Sequence, residues 1–254
     1  MDLDLNDKTV VITGGSKGIG LACARTFAAE GAKVVLAARS ATDLNDAAAT
    51  VHATTGATVS TLPVDLSDEA GQRALAEAVG AVDVVVNNAG AVPPGSLSAV
   101  DTDTWRAAWD LKVFGYINLC RLLLPRLEEQ GSGVVVNVIG AAGIRPQPTY
   151  IAGGAGNAAL IALTEALGSR SLRKGVRVLG VNPGLVLTDR MTTLLQAQAR
   201  AKWDDESRWE ELVPTDPPPA RPEQVADLVT FLASPRAGHV SGCVVPIDAG
   251  GSAR

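Results

Sequence analysis

Two periodicities take turns along this chain. Short runs of consecutive apolar residues, the kind that a strand buried on both faces requires, fall at 9–13, 33–38, 58–62, 82–87, 133–139, 176–181 and 243–247. Between them apolar residues recur every three or four positions, the spacing of a helix with one buried face, at 18–30, 42–54, 68–79, 101–129, 150–172 and 222–233. The punctuation agrees with the periods. Gly31 stops the first helical stretch, Thr42 or Asp43 stands near the N-cap of the second, and the run DTDT opens the long one at 101. Repeated strand–helix–strand units predict an α/β fold, a doubly wound parallel sheet with helices on both faces.

Residues 189–221 break the rhythm. They are polar, carry Trp203 and Trp209, and end in PTDPPPAR. The segment is too long for an ordinary connection, and its proline run is excluded from a helix interior. It reads as one or two short helices laid over a cleft, a lid for a substrate. No other stretch has the composition of a linker, so the chain is expected to form one domain.

Composition narrows the choice. With 254 residues, 46% of them apolar, the chain can bury a large core. A net charge of −5 weighs against nucleic acid and anionic membranes as partners. The first residues, MDLDLNDK, are acidic, and no run of about 18 apolar residues follows. A cytoplasmic location is the expectation. Cys23, Cys120 and Cys243 form no CxxC pair and read as buried thiols. His52 and His239 are isolated, and no His/Asp/Glu spacing suggests a metal.

The run TGGSKGIG at 13–20 follows a strand and opens a helix. In that setting Gly14 turns the chain, Gly18 leaves no side chain between backbone and a diphosphate, and Gly20 lets the helix pack close. Backbone N–H groups of the loop, with Ser16 and Ile19 among its residues, then face the anion. Asp65, followed by Leu66, is placed to accept from an adenine amino group, and Asn88, Ala89 and Gly90 sit at the carboxyl end of the fourth strand, at the crevice where such sheets bind ligands. An acid about 20 residues past the glycines would bond the ribose 2′-hydroxyl of NAD; Ala38 stands there instead, followed by Arg39. Arg39 can fork onto a 2′-phosphate and Lys17 can add its charge. NADP(H) is therefore expected in preference to NAD(H).

At this point the chain resembles the short-chain dehydrogenase/reductase family over nearly its whole length. TGGSKGIG and NNAG match that family's landmarks in order, as do Asn182-Pro183-Gly184 with Val186 and Thr188, and the ending FLASPRAGHVSG with DAGG. The resemblance implies a seven-stranded sheet, a homo-oligomer (dimer or tetramer), and a small carbonyl or alcohol substrate. It also implies that Pro183, Gly184, the Val186 backbone and the Thr188 hydroxyl lie at the nicotinamide. Its chemistry uses a tyrosine acid/base, a lysine four residues later that lowers the phenol pKa and holds the ribose, a serine that donates to the carbonyl, and an asparagine on the long helix.

Tyr150 matches the tyrosine, whereas Gly154 stands at the lysine position and Gly140 at the serine position. Where the family's asparagine falls, three residues before Gly115, the chain has Lys112. The paired exchange suggests that Lys112 delivers the missing ammonium from the other side, with Gly154 leaving room for its stem. Gly153, Gly154 and Gly156 each cost about 1 kcal/mol in a helix relative to alanine, so something is expected to pack closely there. For the serine's role, Asn137 and Asn157 read as structural, and a backbone N–H near Gly140 or a water is the other candidate. Two functions follow: an NADP(H)-dependent oxidoreductase with Tyr150 and Lys112 as its catalytic pair, or a nucleotide-binding protein with little turnover.

Overall fold

The computed structural model describes residues 1–253. Its first half runs β1 (Thr9–Thr13), α1 (Gly18–Ala29), β2 (Lys33–Ala38), α2 (Ala41–Thr55), β3 (Ser60–Pro63), α3 (Glu69–Ala78) and β4 (Val84–Asn87). A long helical segment follows, made of α4 (Thr102–Trp109), a π-helical turn (Asp110–Phe114) and α5 (Gly115–Gln130). Then come β5 (Gly133–Val138), α6 (Ile151–Ser171), β6 (Val176–Pro183), α7 (Asp189–Trp203), a 3₁₀ stretch (Glu206–Leu212), α8 (Pro222–Ala233) and β7 (Val244–Ile247).

All seven strands pair in parallel, in the order β3-β2-β1-β4-β5-β6-β7. The winding reverses between β1 and β4, which opens a crevice at their carboxyl ends. The apolar runs are buried as a two-sided sheet demands: every residue of β4 and of β6 is buried. Phe27, Leu44, Val51 and Val229 from α1, α2 and α8 cover one face. Leu75, Leu119, Leu123 and Leu127 from α3 and α5 cover the other, where Leu160 of α6 joins Tyr116 and Ile139. Residues 151–174 are long and apolar enough to cross a membrane, but α6 spends that character on packing against the sheet.

Several boundaries differ from the sequence reading. The second helix begins earlier: Ser40 is its N-cap, its hydroxyl accepting from the Asp43 N–H at 3.1 Å. The third strand begins later and ends at Pro63, so Asp65 lies just past it. The long helix is not one regular helix, because a wide turn at 110–114 re-aims the side chains within it, Lys112 among them. The segment expected to form a lid contains one full helix plus a 3₁₀ stretch, and Trp203 is clasped within it by Lys202 and Arg208, whose charged ends lie 4.5 and 4.3 Å from the ring centre. Cys23 and Cys120 are buried thiols and Cys243 is half-buried. His52 and His239 are exposed, and among the described residues no group of metal-binding side chains forms.

Candidate active site

The loop after β1 closes on itself tightly. Gly14 and Gly18 adopt left-handed φ values of 62° and 55°, which only glycine takes without strain. A Cβ on Gly20 would overlap the Gly14 carbonyl oxygen. The Asn88 side chain fixes the loop from across the crevice, donating to the carbonyls of Thr13 and Gly14 at 3.0 and 3.1 Å. The N–H groups of Asn88 and Ala89 in turn donate to the Thr13 hydroxyl at 2.9 and 3.0 Å. A cleft of about 220 Å³ results, bounded by Gly14, Ser16, Ala38, Arg39, Leu66 and Gly90.

The charges at its far end are more tangled than the sequence suggested. Lys17 pairs with Asp43 at 3.0 Å, and Asp43 and Ser40 also line the cleft. Arg39 has no carboxylate within salt-bridge distance among the described residues. Asp65 accepts from the Ser67 N–H and hydroxyl at 2.9 and 2.8 Å. The Ser67 amide above all, helped by the Ser67 hydroxyl and the charge of Arg39, holds the Asp65 carboxyl below its ordinary range against the opposing effect of burial.

Past β6, Gly184 donates to the Ile247 carbonyl at 3.0 Å, so the Pro183–Gly184 turn is tied to β7. Val186 bridges to Ala220, but the bonds of that bridge use Leu185 and Leu187. Its own N–H and carbonyl take no part in them. The Thr188 hydroxyl caps α7 by accepting from the Met191 N–H at 3.3 Å, and its methyl faces Gly18 across the cleft.

Tyr150 stands at the N-cap of α6. Its ring packs with Val92, Ala108, Ala152 and Trp105 and folds back over Gly153. A Cβ at 153 would overlap the ring carbons and come 2.6 Å from the phenol oxygen. Burial pushes the phenol pKa up, and the charge of Arg190 opposes it. Gly156 admits Trp109, whose indole N–H donates to the Ala152 carbonyl at 3.0 Å.

Lys112 turns inward from the π-helical turn. Its ammonium donates to the Ile139 carbonyl at 2.7 Å. Burial first, and then Arg190, lower its pKa from 10.5 to about 8. The room for its stem comes from Gly90, where a Cβ would meet the Lys112 side chain at 2.9 Å. Gly154 faces elsewhere, toward the Ala142 carbonyl and Pro146. The ammonium and the phenol thus share no hydrogen bond.

Gly140 has φ 139° and both of its peptide groups are engaged. Its N–H donates to Asn182 Oδ1 at 3.1 Å, and its carbonyl accepts from Asn157 Nδ2 at 3.3 Å. The Asn157 amide nitrogen would lie 2.8 Å from a Cβ at 140. An asparagine therefore fills the space next to Gly140, and the Gly140 N–H is not free to polarise a substrate. Asn137 belongs to a buried chain beneath, accepting from Asn87 and donating to the Thr164 hydroxyl, both at 2.9 Å.

A short chain dehydrogenase family model matches residues 8–199. The chain belongs to the short chain dehydrogenase family. Among relatives, it is 33% identical over 254 residues to 3beta-hydroxysteroid dehydrogenase 1 of Eggerthella lenta, covering 97% of this chain and 94% of that protein. It is 31% identical over 251 residues to 2-keto-3-deoxy-L-fuconate dehydrogenase of Xanthomonas campestris, covering 98% and 81%. The crystal structure of L-sorbose reductase from Gluconobacter frateurii, complexed with NADPH and L-sorbose, superposes with a TM-score of 0.91 at 30% identity, covering 98% of each chain.

In this short chain dehydrogenase the sequence reading missed three side chains at the site. Ser40 and Asp43 announce themselves only as a helix cap, and they reach the cleft because the cap sits at the carboxyl end of β2. Arg190 follows Thr188 closely, and no sequence signal says that it crosses to the opposite wall. It donates to the carbonyls of Gly90 and Val92 at 3.1 and 2.6 Å.

Proposed function

We propose that this short chain dehydrogenase is an NADP(H)-dependent oxidoreductase acting on a carbonyl/alcohol pair, with Tyr150 as its acid/base and Lys112 as its electrostatic helper. A bound nicotinamide dinucleotide supplies or accepts the hydride. The residues present suit that group: left-handed glycines at the loop, a Val186 peptide free to meet a carboxamide, and Arg39 with Ser40 at the place of a 2′-phosphate. Asp43 offsets Lys17, which leaves Arg39 as the main discriminator for the phosphate. The NADPH in the sorbose reductase complex supports the same preference.

The observation that carries the chemistry is a buried ammonium set beneath the NNAG backbone, ending at the carboxyl tip of β5. That tip is where the substrate side of the cleft begins. From there Lys112 stabilises negative charge developing on the reacting oxygens, while Tyr150 exchanges a proton with the substrate oxygen. Asn182 and Asn157 hold the Gly140 peptide rigid in the wall.

The filled space at Gly140 favours a second reading, a dinucleotide-binding protein with little turnover, because no hydroxyl is positioned there. NADPH oxidation across ketones, aldehydes and quinones separates the two. Turnover is expected, and Lys112→Met is expected to lower it about a hundredfold or more while NADPH binding stays within a few-fold. Intact binding without turnover on any member of the panel supports the second reading, and unchanged turnover in the variant removes Lys112 from the chemistry.

A further inference from the structure

We infer that Asp43 is a specificity-determining residue that limits the preference for NADPH: by holding Lys17 it narrows the gap between the two cofactors and keeps NADH usable.

Among the described residues that line the cleft, two are charged, Arg39 and Asp43, and they are opposite in sign. Arg39 immediately precedes Ser40, the N-cap of α2, and Asp43 lies in the first turn of that helix. A phosphate held by Arg39 therefore has a carboxylate in the same wall. Lys17, the second cation that the glycine loop offers, is absent from that lining. Its ammonium lies 3.0 Å from Asp43 Oδ2. Arg39 has no such partner among the described residues. One cation is open to a phosphate, and the other is already engaged.

Stability does not account for the contact. The N-cap needs only the Asp43 backbone, whose N–H donates to the Ser40 hydroxyl at 3.1 Å. An acid three residues past an N-cap serine can complete a capping box by accepting from the N-cap N–H. Among the described residues the Asp43 carboxylate makes no such bond, and it reaches Lys17 instead. The two side chains are 62% and 36% accessible, and an ion pair that open to water adds little to folding. An acid in the first turn suits the helix dipole, but it would do so without touching the glycine loop.

The two cofactors meet this arrangement differently. A 2′-phosphate carries about two negative charges at neutral pH. It gains from Arg39, but it has to compete with Asp43 for Lys17 and is repelled by the carboxylate itself. NADH brings a ribose hydroxyl to the same place, and a hydroxyl can donate to a carboxylate. Asp43 thus opposes NADPH and leaves NADH alone.

The assignment rests on the reading of Arg39 as the residue that meets the 2′-phosphate, and the test separates the two. Isothermal titration calorimetry on the full chain gives dissociation constants for NADPH and NADH without any turnover. Their ratio is the readout, because a general loosening of the cleft moves both constants together. Asp43→Asn keeps the side-chain shape and the capping N–H. It is expected to tighten NADPH about threefold to tenfold and to leave NADH within about twofold. Should that variant fail to fold, Asp43→Ala carries the same expectation. In a Lys17→Met background most of the gain is expected to disappear, since no ammonium is left to release. An unchanged ratio in Asp43→Asn, or an undiminished gain without Lys17, overturns the inference. Arg39→Ala tests the reading beneath it. If that variant weakens NADPH and NADH alike, the 2′-phosphate reading fails. If it weakens NADPH alone while Asp43→Asn changes nothing, the cofactor reading stands and Asp43 has no part in it.

Discussion

At the β1–β2 end of the cleft, the crevice is shaped mostly by backbone. Glycines at 14, 18 and 20 bring peptide groups to the surface, and the Asn88 side chain is occupied in holding those peptides in place. At the β5–β6 end the same sheet presents side chains reaching inward from three separate elements: Tyr150 from the start of α6, Lys112 from the π-helical turn, and Arg190 from α7. The first arrangement tolerates change only away from its glycines, since a Cβ at Gly20 would overlap the Gly14 carbonyl oxygen. The second depends on where the tips of long side chains end, so a single added methyl can upset it.

Gly153→Ala is the sharpest way to break that contrast. Alanine is the better helix former by about 1 kcal/mol, so propensity alone predicts a gain in stability. Yet its Cβ would overlap the Tyr150 ring. The ring has to leave its place against the Val92, Ala108 and Ala152 cluster, and reorientation of an acid/base group costs catalysis steeply. We expect kcat to fall about a hundredfold, with the dissociation constant for NADPH unchanged within a few-fold. Unchanged kcat would show that the tyrosine works from some other position.

The opposite perturbation belongs at the backbone-built end. Arg39→Ala removes the cation proposed to read the 2′-phosphate but leaves Tyr150 untouched. Hydrogen bonds to charged groups contribute about 1.5–3 kcal/mol, so KM for NADPH is expected to rise about tenfold to a hundredfold while kcat and the NADH constants stay flat. Equal losses with both cofactors would mean that Arg39 shapes the cleft rather than reading the phosphate.

The difference between the two ends also decides what was legible beforehand. The sheet, its order of helices and the glycine loop are written in short-range patterns, apolar runs and glycines at turns, and these survive translation into structure with shifts of a few residues. The catalytic end is set by contacts between distant elements. The exchange that puts Lys112 at the asparagine position was visible in the sequence, but its anchor on Ile139 and the room made by Gly90 depend on the π-helical turn, which nothing in WRAAWDLKVFG marks. No sequence signal marked Arg190 as reaching the Gly90 and Val92 carbonyls. Gly153 looked like a packing glycine, and the group it makes room for proves to be the phenol itself.

The smallest expected effect tests the same contrast through stability. A lysine whose pKa falls from 10.5 to about 8 on folding disfavours the native state wherever the unfolded chain holds the proton more tightly. At 1.36 kcal/mol for each tenfold change in proton affinity, the full penalty is about 3 kcal/mol. It is present below pH 8, shrinks as pH rises, and vanishes above 10.5. Lys112 is only half-buried as a residue, and its bond to Ile139 is lost on substitution, so we discount the gain. Lys112→Met is expected to be more stable than the parent by about 1–2 kcal/mol near pH 7, and no more stable near pH 10 to 11. Urea unfolding at both pH values measures it. A side chain kept for structure would destabilise the protein when removed; one kept for chemistry leaves it more stable and less active. Loss of stability at neutral pH would therefore put Lys112 among the packing residues and return the catalytic end to the same plain terms as the dinucleotide end.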